Sequence, residues 1–274
     1  VSDVSAQEVP ELHEPGTVEG MRFPRRTSVA VAAFVALVAG ALPSTALAAA
    51  SIAPIRPQAK PGRVVLLGDS LAHEANNVVQ FFAAPRPVVP KFWGGTAPCD
   101  WLDVDLEADR ASVVVVSFTG NSLTPCMADG GGGFLRGAAL VERYRADLTV
   151  LVDRIRAAGA WVLVVGQPLR DPSFGADAEV EGINAVYREL ARRPYVAFVD
   201  AGGFVERNGA FTDRLPCSPI EPVCGPDGEN VVRGDGVHFC PVPGPPGSCE
   251  VWSSGALRFG LVITVAAVRP SAFE

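Results

Sequence analysis

The sequence predicts an α/β protein with a central parallel sheet covered by helices on both faces. Strand-like and helix-like segments alternate along the chain. The strand candidates are apolar at nearly every position, as strands buried on both faces must be. Polar and glycine residues follow several of them directly, which is where ligands bind in open sheets of this kind. The composition agrees. The chain has 274 residues and is 48% hydrophobic, so it can fill a core. Its 28 Gly and 24 Pro predict long loops. A formal charge of −7, with no Lys/Arg cluster in the folded region, excludes a nucleic-acid partner.

The first strand is Arg63-Val64-Val65-Leu66-Leu67-Gly68, and helical spacing follows from Ala72 to Phe82. Val88 to Trp93 is a weaker strand candidate because Pro90 interrupts it. Ser112 to Phe118, with four consecutive valines, is the strongest strand. A long amphipathic helix is expected over Arg136–Ala158, a strand over Trp161–Val165, a helix over Glu179–Arg193 and a short strand over Val196–Val199. Trp252 to Val268 reads as a closing helix, interrupted by Arg258 and too short to span a bilayer. Between the last strand and this helix, Gly202–Gly234 is an insertion with Pro216, Pro219, Pro222 and Pro226, expected to shape the mouth of a pocket.

Upstream lies a targeting segment. Met21 opens a stretch with Arg22, Arg25 and Arg26, an apolar run follows from Val29 to Leu42, and Ala46-Leu47-Ala48 supplies a cleavage site after Ala48. This is the pattern of a secretory signal peptide over 21–48, and it predicts a secreted protein. The run falls short of a membrane anchor. Residues 1–20, acidic and without periodicity, read as an extension before the true start at Met21 or as a disordered tail. Residues 49–60 form a Pro-bearing linker, and 61–274 the folded domain. All six cysteines lie in that domain, and an even count in an exported protein predicts disulfides. Of the 15 possible pairings, Cys99 with Cys126, Cys217 with Cys224 and Cys240 with Cys249 are expected, the last two closing short loops. No C-x-x-C spacing occurs and the chain has only three His, so no metal site is expected, nor a cofactor.

Four segments carry reactive groups. Gly68-Asp69-Ser70-Leu71 puts a serine on a tight strand-to-helix turn, where its hydroxyl is exposed and the helix N-terminus favours an anion. Alone, the same residues read as an ordinary helix cap. Trp93-Gly94-Gly95-Thr96 ends the second strand and allows close backbone approach to a ligand, or simply a turn. Thr119-Gly120-Asn121-Ser122 ends the strongest strand; Asn121 can aim an amide N–H at a developing oxyanion or serve as a turn residue. Asp235-Gly236-Val237-His238 places a carboxylate where it can bond an imidazole Nδ1–H. His73, on the first turn of the first helix, is expected to flank the site.

Taken together and in this order, these segments resemble the SGNH (GDSL) hydrolase superfamily from about Arg63 to the end of the chain. The resemblance implies a flavodoxin-like three-layer α/β/α fold with Ser70 as nucleophile, His238 as general base and Asp235 as its orienter. It implies an oxyanion hole from the Ser70 N–H, a Gly94 or Gly95 N–H, and the Asn121 side chain, the family's Gly-x-Thr spacing favouring Gly94. The family's third block usually reads Gly-x-Asn-Asp; here Ser122 replaces the Asp, so the bonds bracing the Asn121 loop must differ. Cys99 and Cys126 each follow one oxyanion loop by about five residues, so a disulfide between them would tie the loops together. The expected activity is hydrolysis of carboxylic esters, with short acyl or acetyl esters of glycans favoured, by a monomer without a membrane span. Acyl transfer to an envelope glycan by the same triad is the alternative, and a non-catalytic glycan-binding module on a decayed hydrolase fold is the alternative of another class.

Overall fold

The computed structural model describes residues 62–106, 110–174, 177–241 and 252–269. The acidic extension, the signal segment and the linker lie outside the described residues, as does Cys249.

Five strands, β1 (Arg63–Gly68), β2 (Val88–Phe92), β3 (Ala111–Ser117), β4 (Trp161–Val165) and β5 (Val196–Val199), pair in parallel in the order β2-β1-β3-β4-β5. The architecture is the three-layer α/β/α sandwich that the sequence predicts. Strand alternation divides its interior in two. Val65, Leu67, Val114, Val116, Val162 and Val164 face α2 (Gly137–Ala157) and α3 (Asp177–Leu190). Val64, Leu66, Val113, Val115, Leu163 and Val165 face α1 (Ser70–Ala83) and α4 (Ser254–Val268). This double burial is why these strands are apolar at every position rather than at alternate ones.

Pro90, which weakened the second strand in the sequence, sits in the edge strand β2 opposite Leu66. An edge strand has a free side on which a missing N–H costs nothing. The helices begin and end within two or three residues of the sequence expectation. The insertion after β5 contains an element that the sequence reading did not anticipate, an antiparallel pair of β6 (Arg214–Pro216) and β7 (Glu229–Val231). The Cys217–Cys224 disulfide closes part of its connecting loop. Three-residue strands are too short to show a period, which is why they were not legible.

Candidate active site

The carboxyl ends of β1 and β3 lie side by side at the centre of the sheet, where the strand order reverses direction. β1 ends in Gly68, whose backbone runs so close to β3 that a Cβ there would sit 2.2 Å from the Ser117 carbonyl oxygen. Only glycine fits. Asp69 follows as the N-cap of α1, accepting a hydrogen bond from the Leu71 N–H at 3.2 Å. Ser70 is therefore the first residue of the helix. Its N–H has no intrahelical acceptor, and its side chain stands at the positive end of the helix dipole.

The structure brings Ser70, His238 and Asp235 together from segments far apart in the chain. His238 Nε2 lies 3.1 Å from Ser70 Oγ, and His238 Nδ1 lies 2.7 Å from Asp235 Oδ2. An ionised carboxylate only accepts, so Nδ1 carries the proton; in the neutral ring Nε2 is then an acceptor and the Ser70 hydroxyl donates to it. Asp235 Oδ1 also accepts from the Val237 N–H at 2.9 Å and the His238 N–H at 2.6 Å. Burial alone would raise the Asp235 carboxyl, but these bonds and the imidazole outweigh it and hold the group below its ordinary value.

Asn121 is tied to the residue that precedes Ser70. Its Nδ2 donates to Asp69 Oδ2 at 2.9 Å and, more weakly, to the Thr96 carbonyl at 3.3 Å. Asp69 Oδ2 accepts two further bonds, from the Thr119 N–H at 2.6 Å and the Thr119 hydroxyl at 2.7 Å. The Asp69 side chain is fully buried. Burial lifts its carboxyl above the ordinary value, and the Thr119 and Leu71 bonds with the Arg170 charge only partly offset that. The Asn121 carbonyl accepts from the Tyr144 hydroxyl at 2.9 Å. Asp69 and Tyr144 thus brace a loop that has Ser122 where the resemblance suggests an aspartate.

Trp93 to Thr96 form a tight turn. The Trp93 carbonyl accepts from the Thr96 N–H at 3.3 Å and the Thr96 hydroxyl at 2.8 Å, and Gly95 at the third position has φ +81°. The Trp93 N–H donates to the Gly68 carbonyl at 3.3 Å, which joins this turn to the strand end before Ser70. Cys99 and Cys126 are joined by a disulfide that links the segments following the Gly94-Gly95 turn and the Asn121 loop.

A sequence family described as "Protein of unknown function (DUF459)" matches residues 100–242, just over half of the chain. The chain belongs to this family. No curated protein matches it in sequence. Among solved structures, the DUF459 protein is similar to a candidate acylhydrolase from Bacteroides fragilis (18% identity, 80% of this chain and 91% of that one, TM-score 0.51). It is likewise similar to a lipase/acylhydrolase from Enterococcus faecalis (15%, 76% and 96%, 0.51) and a GDSL-like lipase from Bacteroides thetaiotaomicron (14%, 79% and 92%, 0.50). These likenesses establish the SGNH/GDSL hydrolase fold.

The DUF459 match begins after Ser70 but contains Asn121, Asp235 and His238. His73 does not join the Ser70–His238–Asp235 chain; its ring stacks on Phe92 at 4.6 Å between centroids, beside the site. Sequence reasoning missed three buried charges around the site: Asp69 as a bracing group, Glu74 and Arg233. Two of them had a usable signal, since Asp69 adjoins the serine and Glu74 falls on an otherwise apolar helix face. Among the described residues, the one grouping of metal-type ligands is Cys99, Asp100 and Cys126, and its two sulfurs are bonded to each other. Cys240 is disulfide-bonded, and its expected partner Cys249 lies outside the described residues. Among the described residues, no helix is long and apolar enough to cross a membrane.

Proposed function

We propose that this DUF459 protein is an exported serine esterase that cleaves carboxylic esters through an acyl-enzyme on Ser70. The observation that carries the reading is the continuous chain from Asp235 through His238 to Ser70 Oγ, at 2.7 and 3.1 Å. Both contacts are within the reach that proton transfer needs. Ser70 Oγ attacks the ester carbonyl carbon and its proton passes to His238 Nε2, while Asp235 stabilises the imidazolium and keeps its orientation. The carbonyl oxygen becomes an oxyanion held by the Ser70 N–H, the Gly94 or Gly95 N–H, and Asn121. The Asn121 N–H that faces Thr96 over 3.3 Å is the weakly held one, and so the one whose hydrogen bond is redirected to the oxyanion. His238 then protonates the leaving alcohol. Water, deprotonated by the same imidazole, releases the acid and restores Ser70.

Disulfides on the domain and the signal-like segment at 21–48 support export into an oxidising compartment. Trp93, 73% exposed, stands immediately before Gly94, and Leu123, 69% exposed, lies two residues past Asn121. An exposed indole on the turn that carries Gly94 and Gly95 offers a stacking face to a ring-bearing alcohol, which favours esters of sugars. The test is a p-nitrophenyl ester chain-length series on the mature protein. Acetate should be turned over fastest. Ser70→Ala should lower kcat at least about 10³-fold, and a serine-reactive phosphonate should label Ser70 alone. Ester turnover that survives Ser70→Ala would overturn the reading.

A further inference from the structure

On the helix that carries Ser70, the reaction leaves a buried carboxylate unused. Glu74 lies four residues after Ser70 on α1, so the two side chains leave the helix on the same face, one turn apart. It is 8% exposed. Its Oε2 accepts from the Phe239 N–H at 2.6 Å, whereas its Oε1 is buried without a hydrogen-bond partner. Burial pushes its carboxyl above the ordinary value, and the Phe239 bond only partly offsets this. A half-satisfied buried carboxylate is costly, and an aliphatic side chain would fill the same space without that cost. The position of its bond suggests why it is there. Phe239 directly follows His238, so the helix that presents the hydroxyl also holds the peptide next to the imidazole.

The same loop is held from its other side. Arg233, 1% exposed, donates to the Leu169 carbonyl at 3.1 Å and the Gly236 carbonyl at 3.4 Å. The Phe239 ring is buried against Phe259, with centroids 4.9 Å apart. Arg233 and the Phe239 ring fix where the loop sits. Among the described residues, the Phe239 N–H to Glu74 bond is the backbone hydrogen bond that ties the peptide after His238 to the helix that carries Ser70.

We propose that Glu74 is a positioning residue: by accepting from the Phe239 N–H it holds the His238 imidazole in register with Ser70 and Asp235. The inference rests on the reading of these three residues as a catalytic triad. In Glu74→Leu the Phe239 N–H loses its acceptor and the imidazole drifts. A misplacement of about 1 Å should cost roughly 10–100-fold in kcat, with KM within about twofold. Glu74→Gln keeps a carbonyl acceptor and should retain kcat within about threefold. The readout that a merely structural role would not move is the downfield Nδ1 proton of His238, observed by NMR on protein carrying ¹⁵N-histidine. It should persist in wild type and Glu74→Gln, and shift or broaden in Glu74→Leu. Glu74→Ala provides the same comparison where the leucine variant does not fold. An unchanged His238 signal in folded Glu74→Leu or Glu74→Ala overturns the proposal, as does a displaced signal with wild-type kcat, or a glutamine variant as impaired as the leucine one. Wild-type protein without ester turnover would instead count against the proposed function, and the proton signal would still report whether Glu74 holds the imidazole.

Discussion

Asp69 and Asn121 illustrate how one buried carboxylate can orient a neutral amide for the oxyanion role proposed for it. Asp69 caps α1 with one oxygen and gathers Thr119 and Asn121 with the other. An amide held by a carboxylate has its orientation settled before substrate arrives, which is what electrostatic preorganisation requires. Asn121→Ala should lower kcat about 10²–10³-fold with little change in KM. Asp69→Asn keeps an acceptor but adds a buried N–H₂ among groups that all donate, so it should lower kcat as well. If Asp69 acts through Asn121, its effect shrinks in the Asn121→Ala background; independent losses multiply, and a double-mutant cycle in kcat/KM separates the two outcomes.

At the scale of elements, the site depends on what leaves the ends of β1, β2 and β3. The exit of β3 is held by tyrosines from two helices. Tyr187 of α3 donates to the Phe118 carbonyl and accepts from its N–H, both at 3.1 Å, while Tyr144 of α2 donates to the Asn121 carbonyl. The Cys99–Cys126 disulfide adds a covalent tie between the β2 and β3 exits. Cys99→Ser and Cys126→Ser should each lower kcat to a similar extent and the double variant should be no worse, because either change removes the whole link. Additive losses in the ester assay would argue against a shared role.

Much of this element layout was legible in the sequence. Apolar runs buried on both faces identify β1, β3 and β4 by themselves, and Ser70, Asn121, Asp235 and His238 stand in short segments whose order carries the resemblance. The partners of the bracing groups were not legible, even where Asp69 and Glu74 left a local signal. Tyr144 and Tyr187 sit in apolar helix stripes and read as core, because a hydroxyl's bond to a distant carbonyl leaves no periodic trace. Asp69, Glu74 and Arg233 act through contacts that exist only after folding, up to 165 residues apart for Glu74 and Phe239.

For the molecule as a whole, the insertion between β5 and α4 must be fixed, since it is rich in proline and contributes little to either half of the core. Glu221 does this. Its side chain is 2% exposed and accepts from Arg258 Nε at 2.7 Å, from the Ser218 N–H at 2.6 Å and from the Ser254 hydroxyl, so it clamps the insertion to the first turns of α4. The Arg258 that interrupts the apolar closing helix in the sequence is thus the partner of a buried carboxylate. Burial alone would raise the Glu221 carboxyl, but the bonds from Arg258, Ser254 and Ser218 outweigh it and bring it down to about 2 from the ordinary 4.5. A carboxyl depressed by folding stabilises the folded state above its unfolded value, and that stabilisation is lost as pH falls through the folded value. Glu221 therefore supports the fold fully above about pH 5 and progressively less between about pH 4.5 and pH 2. Glu221→Gln should lower Tm at pH 7 by roughly 5 °C and flatten the fall of Tm across that acid window. Thermal melts of the two proteins at half-unit pH steps make the comparison. Parallel curves, with the variant as acid-sensitive as wild type, would show that the clamp does not depend on this carboxylate.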